Sequence, residues 1–286
     1  MTHILDGKNL ANHILRQLAE EVKQYTDNHY PVPGLGIITA GNDPAGKVYI
    51  KSKLKKAAAA GFATFHVHVE HSEDELIDVI KRYNADPSIH GYIVQLPLPA
   101  HIDTNRIIEL IDPKKDADGF HPLNLGRIMN ENPVVFPATP AGIIEILKYY
   151  DIDPASKHVV IAGRSQIVGK PLAVMLASKF PFGNATVTLI HSRTPQPEKY
   201  IRQADIFISA VGRPKVWNRM HIAENTVVID VGINRDETGK LCGDVDFEDV
   251  KSIAKAITPV PGGVGPMTVA MLLQNTWSLY KSTIKH

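Results

Sequence analysis

The chain alternates short apolar runs with longer amphipathic segments, and this alternation restricts the possible folds more than any other feature. The apolar runs of strand length are 35–40, 64–69, 91–96, 158–162, 185–190, 205–210 and 226–231. The segments between them have the spacing of apolar residues that is typical of helices. Strand and helix in this rhythm favour a mainly parallel sheet with both faces covered. We therefore predict an α/β fold.

A proline-rich stretch at 132–142 marks the expected boundary between two domains. A chain of 286 residues is long enough for two domains of ordinary size. The apolar segment 267–280 has helical periodicity, and we expect it to return and pack on the first domain. The predicted domains are thus 1–138 together with 267–286, and 139–266.

Composition excludes several classes of protein. The 31 basic and 30 acidic residues leave a net charge of +1, which indicates no nucleic-acid partner. Cys242 is the only cysteine, so an intrachain disulfide or a thiolate metal site is impossible, which suits a reducing compartment. No apolar run approaches the roughly 20 residues of a membrane span, and the N-terminus lacks a signal-peptide pattern. We expect a cytoplasmic protein without a membrane partner.

The first candidate catalytic pair lies in a lysine-rich segment after Pro44. The residues that follow are good helix formers, and Gly61 is a suitable C-cap. On such a helix Tyr49 and Lys53 stand four residues apart and share a face. A neighbouring cation or partial burial lowers the pKa of a lysine, which lets it carry protons. On spacing alone, a surface lysine run with one aromatic anchor remains the alternative.

Two further polar residues lie near predicted strand ends. In parallel sheets, ligands bind beyond the carboxyl ends of the strands. Gln95 lies at the end of one predicted strand, and the Tyr49 helix begins just past the end of another, so both are expected at one crevice. Asp118 falls on a loop after the next short helix, where a turn carboxylate is the alternative.

The segment from His66 to His71 carries three histidines and resembles a metal-binding tract. On a strand, His66 and His68 share a face, whereas His71 lies beyond the strand end. Alternating histidine and valine also describes a half-exposed strand, and no other histidine shows ligand spacing. We therefore predict no metal site.

A glycine-containing turn, Gly163 to Gly169, follows a predicted strand and leads into a predicted helix. This layout binds phosphate, because free N–H groups at the helix start face the anion. Five residues separate the two glycines and Pro171 follows Lys170, which excludes an ordinary P-loop. The dinucleotide fingerprint fits loosely, with Ser165 in place of its second glycine.

The end of the next predicted strand favours NADP over NAD. An NAD site usually has an acidic residue there for the ribose hydroxyl, whereas an NADP site has a cation. This chain has Ser192 and Arg193 without a carboxylate, and Arg164 lies in the glycine turn. These three groups can hold a phosphate at the ribose 2′ position. A solvated Ser-Arg turn is the alternative.

A third cluster, residues 258–268, combines prolines with glycines. Prolines fix the backbone path, while glycines permit a ligand to approach the backbone closely. We interpret the segment as a cofactor-facing loop that leads into the last helix.

In their order and combination, seven motifs resemble those of the bifunctional methylenetetrahydrofolate dehydrogenase/cyclohydrolase family. They are YIKSKLK at 49–55, VQLPLP at 94–99, KDADG at 115–119, GRSQIVG at 163–169, DVGIN at 230–234, GDV at 243–245 and TPVPGGVGPMT at 258–268. The resemblance implies that methylenetetrahydrofolate gives a hydride to NADP, and that water then opens the methenyl product to formyltetrahydrofolate. It also implies an N-terminal α/β catalytic domain, a Rossmann-like NADP-binding domain, an active-site cleft between them, and a homodimer.

The resemblance further implies roles for individual residues. Lys53 would transfer protons and activate water, Tyr49 would stack on the folate, and Gln95 would orient Lys53. Asp118 would accept hydrogen bonds from the pterin, since a carboxylate offers only acceptors. Further folate contacts are expected at Leu96, Pro259, Gly262 and Gly263, and NADP contacts at Gly163, Arg164, Ser165, Ile167, Ser192, Arg193, Gly232 and Ile233. Gly46 departs from the family, whose members commonly carry serine there, and this bears on hydrolysis rather than on hydride transfer.

Two other functions remain open from the sequence. One is a two-domain NADP dehydrogenase with a catalytic lysine that acts on a shikimate-type hydroxy acid and is indifferent to folates. The other is a module that binds NADP, reports redox state to a partner and binds no folate.

Overall fold

The computed structural model describes residues 2–41, 44–70 and 72–284, without the side chains of residues 44–49. The predicted contacts of Tyr49 and the effect of Gly46 therefore lie outside the described residues. The helices are α1 Gly7–Asp27, α2 Pro44–Ala59, α3 Glu73–Ala85, α4 Thr104–Glu109, α5 Pro122–Met129, α6 Ala138–Tyr149, α7 Gly169–Ala177, α8 Pro197–Ile201, α9 Phe247–Val250 and α10 Val264–Thr283. The strands are β1 His3–Ile4, β2 Gly34–Ala40, β3 Ala63–Val69, β4 Gly91–Val94, β5 His158–Ala162, β6 Thr186–Ile190, β7 Ile206–Ser209, β8 Val227–Asp230, β9 Asn234–Arg235, β10 Leu241–Cys242 and β11 Ala256–Ile257.

The chain forms two compact units, named here by their sheets. The three-stranded unit comprises Asn12–Arg127, Pro133–Ala138 and the chain from Val269 onward. The six-stranded unit comprises the chain up to Ala11, Ile128–Asn132 and Thr139–Thr268. Among the described residues, no helix combines the length and the apolar character needed to cross a membrane.

The three-stranded unit contains a parallel sheet in the order β3-β2-β4. The first five residues of the central strand β2 are buried, whereas the edge strand β3 alternates between less and more exposed residues. Ser72 caps the start of α3, because its side chain accepts a hydrogen bond from the Glu75 N–H. Asn275 of α10 donates to the carbonyls of Ala117 (2.9 Å) and Phe136 (2.8 Å), which anchors this helix in the unit.

The six-stranded unit contains a parallel sheet in the order β1-β11-β8-β7-β5-β6. Its apolar core is built around residues such as Val160, Phe207 and Val228, each fully buried. The predicted strands correspond to β2–β8, and each agrees with the prediction to within two residues at either end. The pairing of β1 with β11 has no counterpart in the sequence analysis, because a two-residue strand carries no periodicity.

Candidate active site

Helix α2 and strand β4 bring Lys53 and Gln95 together in the three-stranded unit. Lys53 is only 4% exposed, and its Nζ donates a hydrogen bond of 2.8 Å to Gln95 Oε1. The Gln95 amide is itself oriented, because its Nε2 donates to the Leu96 carbonyl at 2.7 Å. Gln95 lies just beyond the carboxyl end of β4, where the sheet topology predicts a ligand-binding group. The first alternative for Lys53, an exposed surface lysine, is therefore wrong.

Burial perturbs the pKa of Lys53 and of Asp118 in opposite directions. Desolvation lowers the pKa of Lys53, and the negative charge of Asp118 partly opposes this shift. Desolvation also raises the pKa of Asp118 to about 6, against the effect of the Lys53 charge. An amine that loses its proton more readily beside an acid that keeps its own is suited to proton transfer near neutral pH.

The loop that carries Asp118 is held by a different carboxylate. Asp116 is 1% exposed and accepts hydrogen bonds from the N–H groups of Gly119 (3.0 Å) and His121 (2.8 Å), and from the Asn124 side chain (2.9 Å). The alternative role considered for Asp118, a carboxylate that stabilises its own turn, is thus held by Asp116. Asp118 is left to interact with Lys53.

A cavity of about 520 Å³ adjoins Gln95. It is lined by Thr39, Ala40, Gly41, Ile50, Lys51, Leu54, His66, His68, Gln95, Leu96 and Pro97. Two of the predicted folate contacts, Gln95 and Leu96, therefore line one cavity, whose volume suits a small organic ligand. The histidines belong to the half-exposed strand β3 as predicted, and Thr39 Oγ1 lies 3.1 Å from His66 Nε2 and 3.0 Å from His68 Nδ1.

The predicted glycine turn connects β5 and α7 in the six-stranded unit. Gly163 has φ +116°, and a Cβ there would lie 2.3 Å from the Ala210 carbonyl oxygen, so only glycine fits. Ser165 Oγ accepts from the N–H groups of Val168 (3.1 Å) and Gly169 (3.4 Å), which supports the start of α7. The turn thus has the strand–turn–helix layout that the sequence predicts.

A cavity of about 570 Å³ lies beside this turn. Its lining consists of Ala162, Gly163, Arg164, Ile190, His191, Ser192, Thr194, Pro197, Ala210, Val211, Arg213, Val216, Trp217 and His221. The lining contains two arginines and, among the described residues, no carboxylate, which suits a ligand with phosphate groups. We call it the dinucleotide pocket.

The dinucleotide pocket contains some of the predicted NADP contacts and not others. Gly163, Arg164 and Ser192 line it, whereas Ser165 supports the start of α7. Among the described residues that line the pocket, the predicted contacts Ile167, Arg193, Gly232 and Ile233 do not occur. The sequence analysis missed Val211 and Arg213, which follow the end of β7. The strand-end rule that singled out Ser192 would have found them.

The proline- and glycine-rich loop between β11 and α10 is tightly packed within the six-stranded unit. The Gly262 carbonyl accepts a 2.8 Å hydrogen bond from the Lys8 N–H. A Cβ on Gly263 would lie 2.6 Å from the Pro259 carbonyl oxygen, so the backbone turns too closely for another residue. Pro259 lines a separate cavity of about 210 Å³ together with Asp230 and other residues.

Comparison with known proteins decides the family. Residues 5–118 match the catalytic domain of tetrahydrofolate dehydrogenase/cyclohydrolase, and residues 137–284 match the NAD(P)-binding domain of the same enzymes. The chain is 51% identical to the bifunctional protein FolD of Streptococcus thermophilus over 287 aligned positions that cover 100% of both chains. It belongs to the tetrahydrofolate dehydrogenase/cyclohydrolase family.

Solved structures agree with this family assignment over the whole chain. The FolD methylenetetrahydrofolate dehydrogenase/cyclohydrolase of Campylobacter jejuni is 42% identical, with a TM-score of 0.94 over 99% of this chain and 100% of that one. The Trypanosoma brucei dehydrogenase-cyclohydrolase, solved with NADP cofactor and inhibitor, is 36% identical, with a TM-score of 0.93 over 100% and 99% of the two chains. The predicted family and the predicted fold class, an α/β catalytic domain with a Rossmann-like NAD(P)-binding domain, are confirmed.

Proposed function

We propose that this protein oxidises 5,10-methylenetetrahydrofolate with NADP and hydrolyses the methenyl product to 10-formyltetrahydrofolate. The observation that carries the proposal is the buried Lys53, whose Nζ bonds to Gln95 and whose pKa is lowered by burial. In a family whose members are named as dehydrogenase and cyclohydrolase, this amine is the group suited to the hydrolytic step. Family membership also favours folate over the hydroxy acid and the sensing module that the sequence left open.

The hydrolytic step needs a proton acceptor for water and a proton donor for ring opening. With its lowered pKa, Lys53 can accept a proton from water as a neutral amine and return it as an ammonium group. Gln95 Oε1 keeps Nζ in place through both protonation states, since it accepts a hydrogen bond from either. Asp118 above its pKa of about 6 offers acceptors to the amino and ring N–H groups of a pterin. We assign to Tyr49 the stacking on the folate, and to Leu96, Pro259, Gly262 and Gly263 further folate contacts.

Hydride transfer needs position more than acid–base chemistry, because the nicotinamide of bound NADP accepts the hydride. In this chain Gly163 permits close approach of the backbone, while Arg164 and Ser192 offer charge and a hydroxyl to a phosphate. The NADP named with the Trypanosoma brucei relative supports the same cofactor here. The remaining predicted contacts, Ser165, Ile167, Arg193, Gly232 and Ile233, are part of the proposal.

Three further statements belong to the proposal. The folate-binding domain comprises residues 1–138 and 267–286, and the NADP-binding domain residues 139–266. The protein acts in the cytoplasm. It forms a homodimer through its NADP-binding domains.

The test supplies the purified protein with methylenetetrahydrofolate and either NADP or NAD, and follows the reduced cofactor and the methenyl compound by absorbance. We expect reduction of NADP, and loss of methenyl absorbance as hydrolysis proceeds. A parallel reaction with a shikimate-type hydroxy acid and NADP serves as the control and is expected to give no reduced cofactor. Absence of NADPH from the folate reaction at every protein concentration would refute the proposal.

A further inference from the structure

Two sequence motifs that resemble the family carry acidic residues that have no role in the chemistry described above. They are Asp230 to Asn234, at the end of β8, and Gly243 to Val245, just after β10. In the structure the carboxylate of Asp230 binds the backbone of the second motif. Asp230 Oδ1 accepts a 3.0 Å hydrogen bond from the Asp244 N–H, and its Oδ2 accepts a 2.8 Å bond from the Val245 N–H. We call this pair of acidic residues the carboxylate clasp.

Asp244 is fully buried and accepts hydrogen bonds on both carboxylate oxygens. Oδ2 accepts from Ser209 Oγ at 2.8 Å, and from the N–H groups of Val211 (2.7 Å) and Gly212 (3.3 Å). Oδ1 accepts from the Arg213 N–H at 3.0 Å and from Asn234 Nδ2 at 2.9 Å. Each of these groups is a donor, so the site is matched to an ionised carboxylate rather than to a neutral amide.

The backbone that Asp244 holds is a wall of the dinucleotide pocket. Val211 and Arg213 both line that pocket, and they stand on either side of Gly212 in the segment after β7. Three consecutive N–H groups of this segment point at one carboxylate, so its path is set by Asp244. Among the described residues that line the dinucleotide pocket, Asp244 itself does not occur, so it can act on a ligand there only through this segment.

Close packing of the two motifs explains their glycines. A Cβ on Gly232 would lie 2.1 Å from Asp244 Oδ1, and a Cβ on Gly243 would lie 1.9 Å from Asp230 Oδ2. The Gly232 N–H also donates to Asp230 Oδ1 at 3.0 Å. The backbone therefore comes within hydrogen-bonding distance of both carboxylates only where no side chain intervenes.

From this geometry we infer that Asp244 is a positioning residue for the dinucleotide: it fixes the Val211–Arg213 segment against the cofactor. The inference rests on the proposed function, because it concerns the cofactor of the dehydrogenase step. Asp244 lies in the six-stranded unit, whereas Lys53 and Gln95 lie in the three-stranded unit. Loss of the Asp244 carboxylate is therefore expected to act on dinucleotide affinity and not on hydrolysis of the methenyl compound, which needs no hydride acceptor.

The test replaces Asp244 with asparagine and measures two activities and one affinity. An asparagine keeps the shape but turns an NH₂ group towards N–H donors, so the Val211–Arg213 segment must shift. We expect the Kd for NADP, measured by calorimetry, and the KM for NADP to rise at least tenfold. The kcat at saturating NADP and the rate of methenyl hydrolysis are expected to stay within about threefold of the original protein.

Asp246→Asn is the matched control, because it makes the same change two residues away, at a side chain that takes no part in the clasp. Asn234→Ala is a milder variant in case Asp244→Asn does not fold, since it removes one donor from Oδ1 at a half-buried position. We expect a rise in Kd of about threefold for Asn234→Ala and none for Asp246→Asn.

The outcomes separate this inference from the proposed function. If the original protein binds NADP but Asp244→Asn has an unchanged Kd for NADP, the positioning role is refuted and the proposed function stands. Where Asp244→Asn does not fold, an unchanged Kd of Asn234→Ala leads to the same conclusion. A fall in kcat and in hydrolysis without a change in the KM for NADP would also refute it, because that is the pattern of a purely structural residue. If the original protein binds no NADP, both proposals fail.

Discussion

Replacement of Lys53 by methionine tests the hydrolytic chemistry most directly. Methionine has nearly the length of lysine and suits a side chain that is 4% exposed, but it removes the Nζ that donates to Gln95 at 2.8 Å. Proton transfer by a positioned side chain accelerates a reaction by roughly 10²–10⁴-fold, which corresponds to about 3–5 kcal/mol of barrier. Burial hinders water from taking the place of the amine, so we expect a loss near the upper end, at least about 10³-fold.

The assay follows the decay of methenyltetrahydrofolate absorbance in a buffer that does not itself catalyse ring opening. NADP affinity, measured by calorimetry, is expected to be unchanged, because the dinucleotide pocket lies in the other unit. Lys55→Met is the matched control, since it makes the same change at an exposed position two residues along α2 and is expected to retain hydrolysis. Hydrolysis by Lys53→Met within tenfold of the original rate would refute the assigned role.

Thermal unfolding at two pH values shows whether lost activity reflects lost folding. Because the fold lowers the pKa of Lys53, the protonated side chain is less favourable in the folded than in the unfolded chain. The contribution of Lys53 to stability is therefore complete above its unfolded pKa of about 10.5 and declines as the pH falls through the lowered folded value. We therefore compare the melting temperature of Lys53→Met with that of the original protein at each pH. The variant's melting temperature minus that of the original protein is expected to be larger at pH 7 than at pH 10. If this difference in melting temperature is the same at pH 10 and at pH 7, the lowered pKa of Lys53 is contradicted.

Three other substitutions address the remaining parts of the site. Protonation of Asp118 as the pH falls through about 6 removes an acceptor for the pterin, so the KM for folate should rise in this pH range. Asp118→Asn should remove this pH dependence of KM. If the pH dependence persists in the variant, Asp118 is not its source. Arg164→Ala should raise the KM for NADP about tenfold with little effect on the KM for NAD, and equal effects on both would show that the guanidinium does not read the 2′-phosphate. Gly163→Ala should lower the melting temperature and weaken dinucleotide binding, because its Cβ would lie 2.3 Å from the Ala210 carbonyl oxygen; unchanged melting would mean that the turn relaxes freely.

The chemistry of the three-stranded unit was visible in the sequence to a large extent. Lys53 stands on a predicted helix and Gln95 at the end of a predicted strand, and the rule for parallel sheets places such groups at one edge. The bond between them needs only that both elements form as their local patterns predict. The burial of Lys53 did not follow from the spacing of the residues. Residues 47–56 include five lysines, one serine and one tyrosine, a composition that is equally typical of a helix on the surface.

The two aspartates of the KDADG motif show where sequence reasoning stops. Asp116 and Asp118 are equivalent on a turn as far as residue type and spacing tell. In the structure, Asp116 accepts hydrogen bonds from the N–H groups of its own loop, whereas Asp118 interacts electrostatically with Lys53. The difference depends on the direction in which each side chain points. The positions of the two residues in the sequence of the loop do not determine that direction.

By itself the sequence determined the α/β class, the order of the main strands and helices, and the family, since periodicity and motifs are local properties of the chain. The tertiary structure alone decided that β1 pairs with β11, that Lys53 is buried, and that the Asp244 carboxylate holds the Val211–Arg213 segment. These features join groups that are far apart along the chain. Their energies come from desolvation and hydrogen-bond geometry, which exist only after the segments have packed.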